Sequence, residues 1–352
     1  MSTLADVLDQ MTVPARLVEP MDEAGMVRCL ACGHRCRIRA GRRGICQVRF
    51  NQDGELRVPW GYVAALNADP IEKKPFNHVF PGTRILTFGM LGCDFHCGFC
   101  QNWVTSQALR DPRAGGEEYI QPVRPEQLVE IAQQSGCGAI ASSYNEPLIT
   151  TEWAVDVFEQ ARAAGLQCCV VSNGNATPEA LNMLRPYLSA YKVDLKSMRD
   201  KPYRELGGVL QHVLDTIQMA HQMGIWVEVV TLVIPGFNDT PAELWDAARF
   251  LASVSVDIPW HVTAFHPDYK MTGPPPTSAR ILKQAAEIGQ EAGLNYVYAG
   301  NLPGRVGTYE DTNCPHCQAV LVQRRGYTIL QNRITPAGTC PDCGTLIPGV
   351  WK

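Results

Sequence analysis

Gly92-Cys93-Asp94-Phe95-His96-Cys97-Gly98-Phe99-Cys100-Gln101-Asn102-Trp103 decides how the rest of the chain is read. Three cysteines stand at spacing C-x3-C-x2-C, directly after an apolar run, 84–90, that reads as a strand. Thiolates this close together at the tip of a loop form an iron–sulfur ligand set. A four-iron cluster takes four ligands and this loop offers three. One iron is therefore left for something other than cysteine. The competing reading is a zinc knuckle, which needs four protein ligands. The next cysteine in the chain is Cys137.

The 352 residues exceed the usual single domain, though a barrel absorbs that much chain. Hydrophobic residues make up 45% and charged residues 19%, a globular balance. No run of eighteen apolar residues occurs, so no membrane helix is expected. Met1–Pro20 carries Asp6, Asp9 and Glu19 without a secretory pattern, so a cytoplasmic location is expected. Fourteen cysteines in such a chain argue for metal rather than disulfides. Four lie at 29–46, three at 93–100 and four at 314–343. Cys137, Cys168 and Cys169 fall in or beside strand-like runs and read as small buried hydrophobes. The net charge of −4 does not favour nucleic acid for the chain as a whole. Between positions 28 and 49, however, stand seven arginines (28, 35, 37, 39, 42, 43 and 49) and no acid.

A short helix is expected near the start. Cys29, Cys32, Cys36 and Cys46 then stand at C-x2-C-x3-C-x9-C with intervening glycines, which suits a small metal knuckle of zinc or a second cluster, with His34 as an alternative ligand. The neighbouring arginines read as a solvated rim, or as a surface for RNA or an acidic partner. Residues 55–63 read as a strand or hairpin, and 69–82 as a loop over the cluster mouth. From residue 84 strands alternate with capped helices. Strands are expected at 84–89, 138–143, 167–172, 190–195, 225–233, 260–265 and 295–298. Helices are expected at 125–135, 151–164, 178–188, 209–223, 241–253 and 277–292, with Thr-Pro starts at 177–178 and 240–241 and Gly stops at 165, 224 and 293. After residue 300, Cys314, Cys317, Cys340 and Cys343 form two C-x2-C knuckles around an alternating hairpin, a zinc-ribbon or rubredoxin-like pattern for zinc or iron. The expected division is a cysteine-rich module over 1–83, a barrel over 84–300 and a ribbon over 301–352.

With an aromatic before its last cysteine, the 93–100 loop resembles the signature of the radical SAM superfamily. The modules at 29–46, 69–74, 93–103 and 144–147 are most similar to the radical SAM enzyme of the AmmeMemoRadiSam system, a branch near the pyruvate formate-lyase activating enzymes. That resemblance implies an α/β fold, an open partial (βα)6 barrel flanked by small cysteine-rich modules. It implies a [4Fe-4S] cluster on Cys93, Cys97 and Cys100 whose open iron binds S-adenosylmethionine. Reductive cleavage would then give methionine and a 5′-deoxyadenosyl radical that abstracts hydrogen from a substrate. A flavodoxin- or ferredoxin-type electron donor and a protein substrate are the implied partners.

Chemistry in such a barrel is expected at the C-terminal strand ends. Ser142-Ser143-Tyr144-Asn145-Glu146-Pro147 resembles the family's Gly-Gly-Glu-Pro segment, so Asn145 and Glu146 are expected at the methionyl ammonium. Ser172 and Asn173 resemble its carboxylate or ribose contacts, and Phe99 is expected against the adenine. Asp194 and Lys196 match the Asp-x-Lys of the activating enzymes. They and His266 are the expected substrate-end groups. The strand 225–234 lacks the arginine that activating enzymes use near substrate, which sets this chain apart from them. The alternatives are an RNA-modifying enzyme of the same superfamily, or a non-catalytic iron–sulfur or zinc protein that binds nucleic acid.

Overall fold

The computed structural model describes residues 3–21, 25–114 and 116–351. Its centre is an eight-stranded sheet in which each strand lies beside its chain neighbour. The strands are β1 (Ala65–Pro70), β2 (Arg84–Gly89), β3 (Ala139–Ser142), β4 (Gln167–Ser172), β5 (Leu188–Asp194), β6 (Trp226–Val233), β7 (Trp260–Ala264) and β8 (Val297–Gly300). β2 to β8 are all parallel, and β1 runs antiparallel along β2. Among the described residues no pairing joins β1 to β8, so the barrel is open.

The parallel strands are runs of Val, Ile, Ala and Cys buried on both faces, as βα units require. β3 to β8 are each reached through a helix: α1 (Pro125–Gln134), α2 (Thr151–Ala163), α3 (Pro178–Leu184), α4 (Leu210–Gln222), α5 (Pro241–Val254) and α6 (Ala279–Glu291). Thr177 caps α3 by accepting from the Ala180 N–H, and Thr240 and Ser278 cap α5 and α6 in the same way. Gly165, Gly224 and Gly293 end their helices at positive φ, as expected. A 3-10 turn, Pro147–Thr150, precedes α2, and the Thr150 hydroxyl at its N-cap donates back to the Pro147 carbonyl instead of accepting from the helix. α3 stops at Leu184 rather than 188 because Pro186 cannot continue it.

The short N-terminal helix forms at Leu4–Gln10. Two small three-stranded sheets, one of Thr12–Pro14, Glu55–Pro59 and Phe50–Gln52, the other of Val18–Pro20, Val27–Cys29 and Arg37–Ile38, build the first module. The expected module boundary at 83 cuts inside the barrel sheet, because β1 pairs along the whole of β2. The C-terminal ribbon pairs Thr312–Asn313, Val320–Arg325 and Thr328–Asn332, so the expected hairpin is present. Cys137, Cys168 and Cys169 are buried beside or in the sheet. No helix among the described residues is long and apolar enough to cross a membrane.

Candidate active site

The Cys93–Cys100 loop follows the end of β2 and is held from several sides. Gln107 Nε2 and Arg110 Nη1 donate to the Phe95 carbonyl at 3.1 and 2.8 Å. The backbone N–H of Lys270 donates to the Gly98 carbonyl, and that of His96 to Leu206. Gly89 is where β2 meets the end of β3: a Cβ there would sit 2.4 Å from the Ser143 carbonyl. The loop lies close to the β3 end because this position carries no side chain.

All three cysteines line a cavity of about 380 Å³ at the C-terminal strand ends. The expected cofactor residues Phe99, Asn145, Glu146, Ser172 and Asn173 line the same cavity, as do Asp194 and Lys196. Val171, Val230 and Leu232 supply apolar wall. Lys73, Lys74 and Pro75, from the loop after β1, also border it, so this loop lies at the cavity mouth. His266 is not among these residues. It is exposed, faces a neighbouring cavity of about 370 Å³, and meets the site through Gln101, whose Nε2 is 2.9 Å from His266 Nε2. Gln101 lines both cavities.

Glu146 is buried, and its carboxylate organises two strand ends. Oε1 accepts from the Leu148 N–H at 3.0 Å and the Ser172 hydroxyl at 2.7 Å, and Oε2 accepts from the Asn173 N–H at 2.7 Å. One of its four acceptor positions remains for a ligand. Burial, and secondarily the charge of Asp94, push its pKa up to about 8. Asn145 Oδ1 accepts from the Met90 N–H, tying the β3 end to the β2 end.

Two residues outside the sequence expectations are central. Asp94 is fully buried; Asn173 Nδ2 and Asn175 Nδ2 donate to its two oxygens at 2.7 and 2.8 Å. It ties the cysteine loop to the end of β4. Lys192 sits two residues before Asp194 on the same strand face and pairs with it, while Lys196 Nζ lies 3.1 Å from the other oxygen. Burial opposes the charge of Asp194, but the two ammoniums outweigh it and hold the carboxyl well below its usual range. The sign in the sequence was faint: a lysine and an aspartate alternating in a buried strand.

Sulfur spacing separates the three cysteine groups. A tetrahedral mononuclear ion with 2.3 Å bonds holds its sulfurs about 3.8 Å apart. In the ribbon, Cys314 and Cys343 stand 3.6 Å apart and Cys317 and Cys340 3.7 Å. Among the described residues this is the one group of three or more such ligands within 4.8 Å of one another. The ribbon is therefore a four-cysteine site for one ion. Cys93, Cys97 and Cys100 are spaced too widely for one ion and suit a multi-iron cluster. The Phe95 N–H, 3.4 Å from Cys93 Sγ, and the Ser106 hydroxyl, 3.2 Å from Cys100 Sγ, suit thiolates. The residues present fit a cluster.

Residues 88–251 match the description of the Radical SAM superfamily. An uncharacterized protein of Methanocaldococcus jannaschii is 36% identical over 95% of this chain and 98% of its own length. The chain belongs to the radical SAM superfamily. Within that superfamily it is 23% identical to the pyruvate formate-lyase-activating enzyme of Staphylococcus epidermidis, over 63% of this chain and 92% of that protein. It is also 28% identical to the isethionate sulfite-lyase activating enzyme of Oleidesulfovibrio alaskensis, over 35% and 42%. Among solved structures, a radical SAM methyltransferase from Sphaerobacter thermophilus aligns over 83% of this chain and 78% of that one, with a TM-score of 0.49 at 14% identity. Membership of the superfamily implies a [4Fe-4S] cluster and S-adenosylmethionine, and with the activating-enzyme relatives it supports an enzyme.

Proposed function

We propose that this chain cleaves S-adenosylmethionine reductively and directs the resulting radical at a substrate hydrogen, as an activase-like enzyme of the AmmeMemoRadiSam type. The observation that carries the reading is the cavity itself. Three cysteines and no fourth line it among the described residues, and the polar ends of β3, β4 and β5 face them. Cys93, Cys97 and Cys100 would hold the cluster. When bound, that group supplies one electron for cleavage of S-adenosylmethionine to methionine and a 5′-deoxyadenosyl radical.

The chain's own residues do the rest. Phe99, set edge-on to Phe237 with ring centres 5.8 Å apart, offers a flat apolar face for the adenine. Glu146 presents its remaining acceptor position to an ammonium, with Ser172 and Asn173 fixing the carboxylate. Val171, Val230 and Leu232 keep water and stray hydrogen donors from the reactive centre. Asp194, neutralised by Lys192 and Lys196, positions polar groups of cofactor or substrate without adding net negative charge.

The substrate class we favour is a protein side chain or backbone, and the electron donor a flavodoxin- or ferredoxin-type protein. The RNA-modifying alternative draws on the arginines of the first module. Four of these are engaged within the chain: Arg28 with Glu19, Arg35 with Glu179, Arg43 with Asp9 and Arg49 with Glu152. That leaves less positive surface for phosphates. The test is anaerobic incubation of the reconstituted protein with S-adenosylmethionine and a reductant, reading 5′-deoxyadenosine. Wild type should produce it and Cys97→Ala should not. Production persisting in the variant sinks the assignment.

A further inference from the structure

The function above makes no use of Cys29, Cys32, Cys36 and Cys46. Three of these are buried and the fourth half-buried, and all are free thiols. Cys29 is near enough to the other three that its charge would act on each of them. Every sulfur is offered N–H donors. The His34 N–H serves Cys32, Val48 and Arg49 N–H groups serve Cys46, Ile45 N–H serves Cys36 at 3.5 Å, and Arg49 Nη1 lies 3.9 Å from Cys29. The contact from the N–H two residues on is the one seen at Cys93, where Phe95 N–H donates. Burial raises the Cys32, Cys36 and Cys46 thiols, so it is bound metal, not the donors alone, that would hold these sulfurs as thiolates, which the donors then suit. Thiolates in a site this largely buried need positive charge, and the guanidinium at Cys29, Arg49, is already committed to Glu152. A metal centre meets that need.

Its nuclearity follows from spacing. No three of these sulfurs lie within 4.8 Å of one another, whereas the ribbon sulfurs do. A single zinc requires the ribbon's spacing. His34 does not join the thiols: its Nε2 points to Asp94, 3.9 Å away, and its ring meets Phe95 edge-on. Four thiolates are therefore available, a closed shell without an open iron.

We propose that Cys29, Cys32, Cys36 and Cys46 hold a second iron–sulfur cluster, fully ligated by cysteine and seated against the cluster loop of the active site. The seating is direct. The Cys46 carbonyl and Val48 side chain pack where a Cβ on Gly92 would stand, at 3.2 and 2.7 Å. Arg110 donates to the carbonyls of both Ile45 and Phe95. Gly33 N–H donates to the Asn175 carbonyl, and Asn175 in turn holds Asp94. The 29–46 set thus packs against the start of the cluster loop, Gly92–Phe95.

The experiment compares anaerobically reconstituted full-length wild type with the variant carrying Cys93→Ala, Cys97→Ala and Cys100→Ala, by iron, sulfide and zinc analysis and by EPR of the reduced protein. The variant should keep about half of the wild-type iron and acid-labile sulfide, about four of each per chain, and a reduced-cluster EPR signal. The ribbon's single ion contributes no sulfide, so it cannot mimic this result. Cys36→Ser in the triple variant should abolish or alter that signal, and as the most accessible of the four it is the substitution the fold tolerates best. A triple variant without sulfide, or two zincs per chain, overturns the proposal. Failure of the active-site reading looks different: wild type and triple variant would then hold equal, non-zero iron and sulfide.

Discussion

Asp194 shows how a single carboxylate keeps two lysines inside a cavity wall. The Lys192 and Lys196 side chains are only 6% and 14% exposed, and each contacts one of its oxygens. Asp194→Asn leaves two ammoniums facing each other with a neutral partner. A fully buried pair broken this way costs several kcal/mol; a third of the Asp194 side chain reaches the cavity, so solvent screens part of the loss. The expected outcome is about 2 kcal/mol lower stability by thermal or denaturant unfolding, and weaker S-adenosylmethionine binding by calorimetry. Unchanged values in both would remove the pair from the site. His266 is expected to act differently, because it faces the second cavity through Gln101. His266→Ala should lower substrate-dependent turnover several-fold and spare substrate-free cleavage; equal loss of both would place it in service of the cofactor or the fold. The cysteines were legible because their spacing is local. Asp94 and Lys192 were not, because their meaning depends on Asn173, Asn175 and Asp194 being brought to them by the sheet.

Strands and loops locate the site through a few close approaches. Gly89 and Gly98 make a controlled pair on either side of the cluster loop's first cysteine. A Cβ on Gly89 meets backbone at 2.4 Å, which no rotamer can relieve, whereas one on Gly98 finds only Lys270 Cβ at 3.8 Å. Gly89→Ala should cost about 1–3 kcal/mol by overpacking and lower the iron retained after reconstitution. Gly98→Ala should leave both near wild type. Equal effects would mean that the β2–β3 contact does not set the loop. At this scale the alternation of strand and helix was readable because Thr-Pro starts and Gly stops punctuate it. β1 was missed for a physical reason. It is an antiparallel edge strand of sequence Ala-Leu-Asn-Ala-Asp-Pro, half-buried or exposed throughout, so it carries no apolar period and its acid and proline read as loop. Its pairing along β2 is a long-range fact that the local pattern does not contain.

Across the whole molecule, the barrel floor is tied to the chain's C-terminal segment through one buried histidine. His78 Nδ1 lies 2.6 Å from the Pro348 carbonyl and Nε2 2.7 Å from the Tyr298 hydroxyl, so the neutral ring donates to the first and accepts from the second. Tyr298 continues to Thr312 of the ribbon, and the Val350 N–H donates to the His78 carbonyl. Beneath it Glu228 accepts from the Asn77 and His78 N–H groups, from Trp226 and from His261. Burial pushes the His78 pKa down to about 4, and the attraction of Glu228 only partly offsets this. The unfolded chain binds the imidazole proton below about 6.5, while the folded chain refuses it until about 4. The unfolded state therefore binds more protons through that interval, and stability falls as pH drops. The stabilisation is complete above pH 6.5, and about 3 kcal/mol of it is lost by pH 4. His78→Gln should flatten this acid limb, read as the difference in unfolding free energy between the two proteins from pH 7 to pH 4. Hydrogen exchange gives the spatial readout: amides of the 348–351 segment should lose protection in wild type before those of β4 and β5. A wild-type acid limb no steeper than the variant's would show that His78 titrates as it does in the unfolded chain, and that the link between barrel floor and ribbon is held by other contacts.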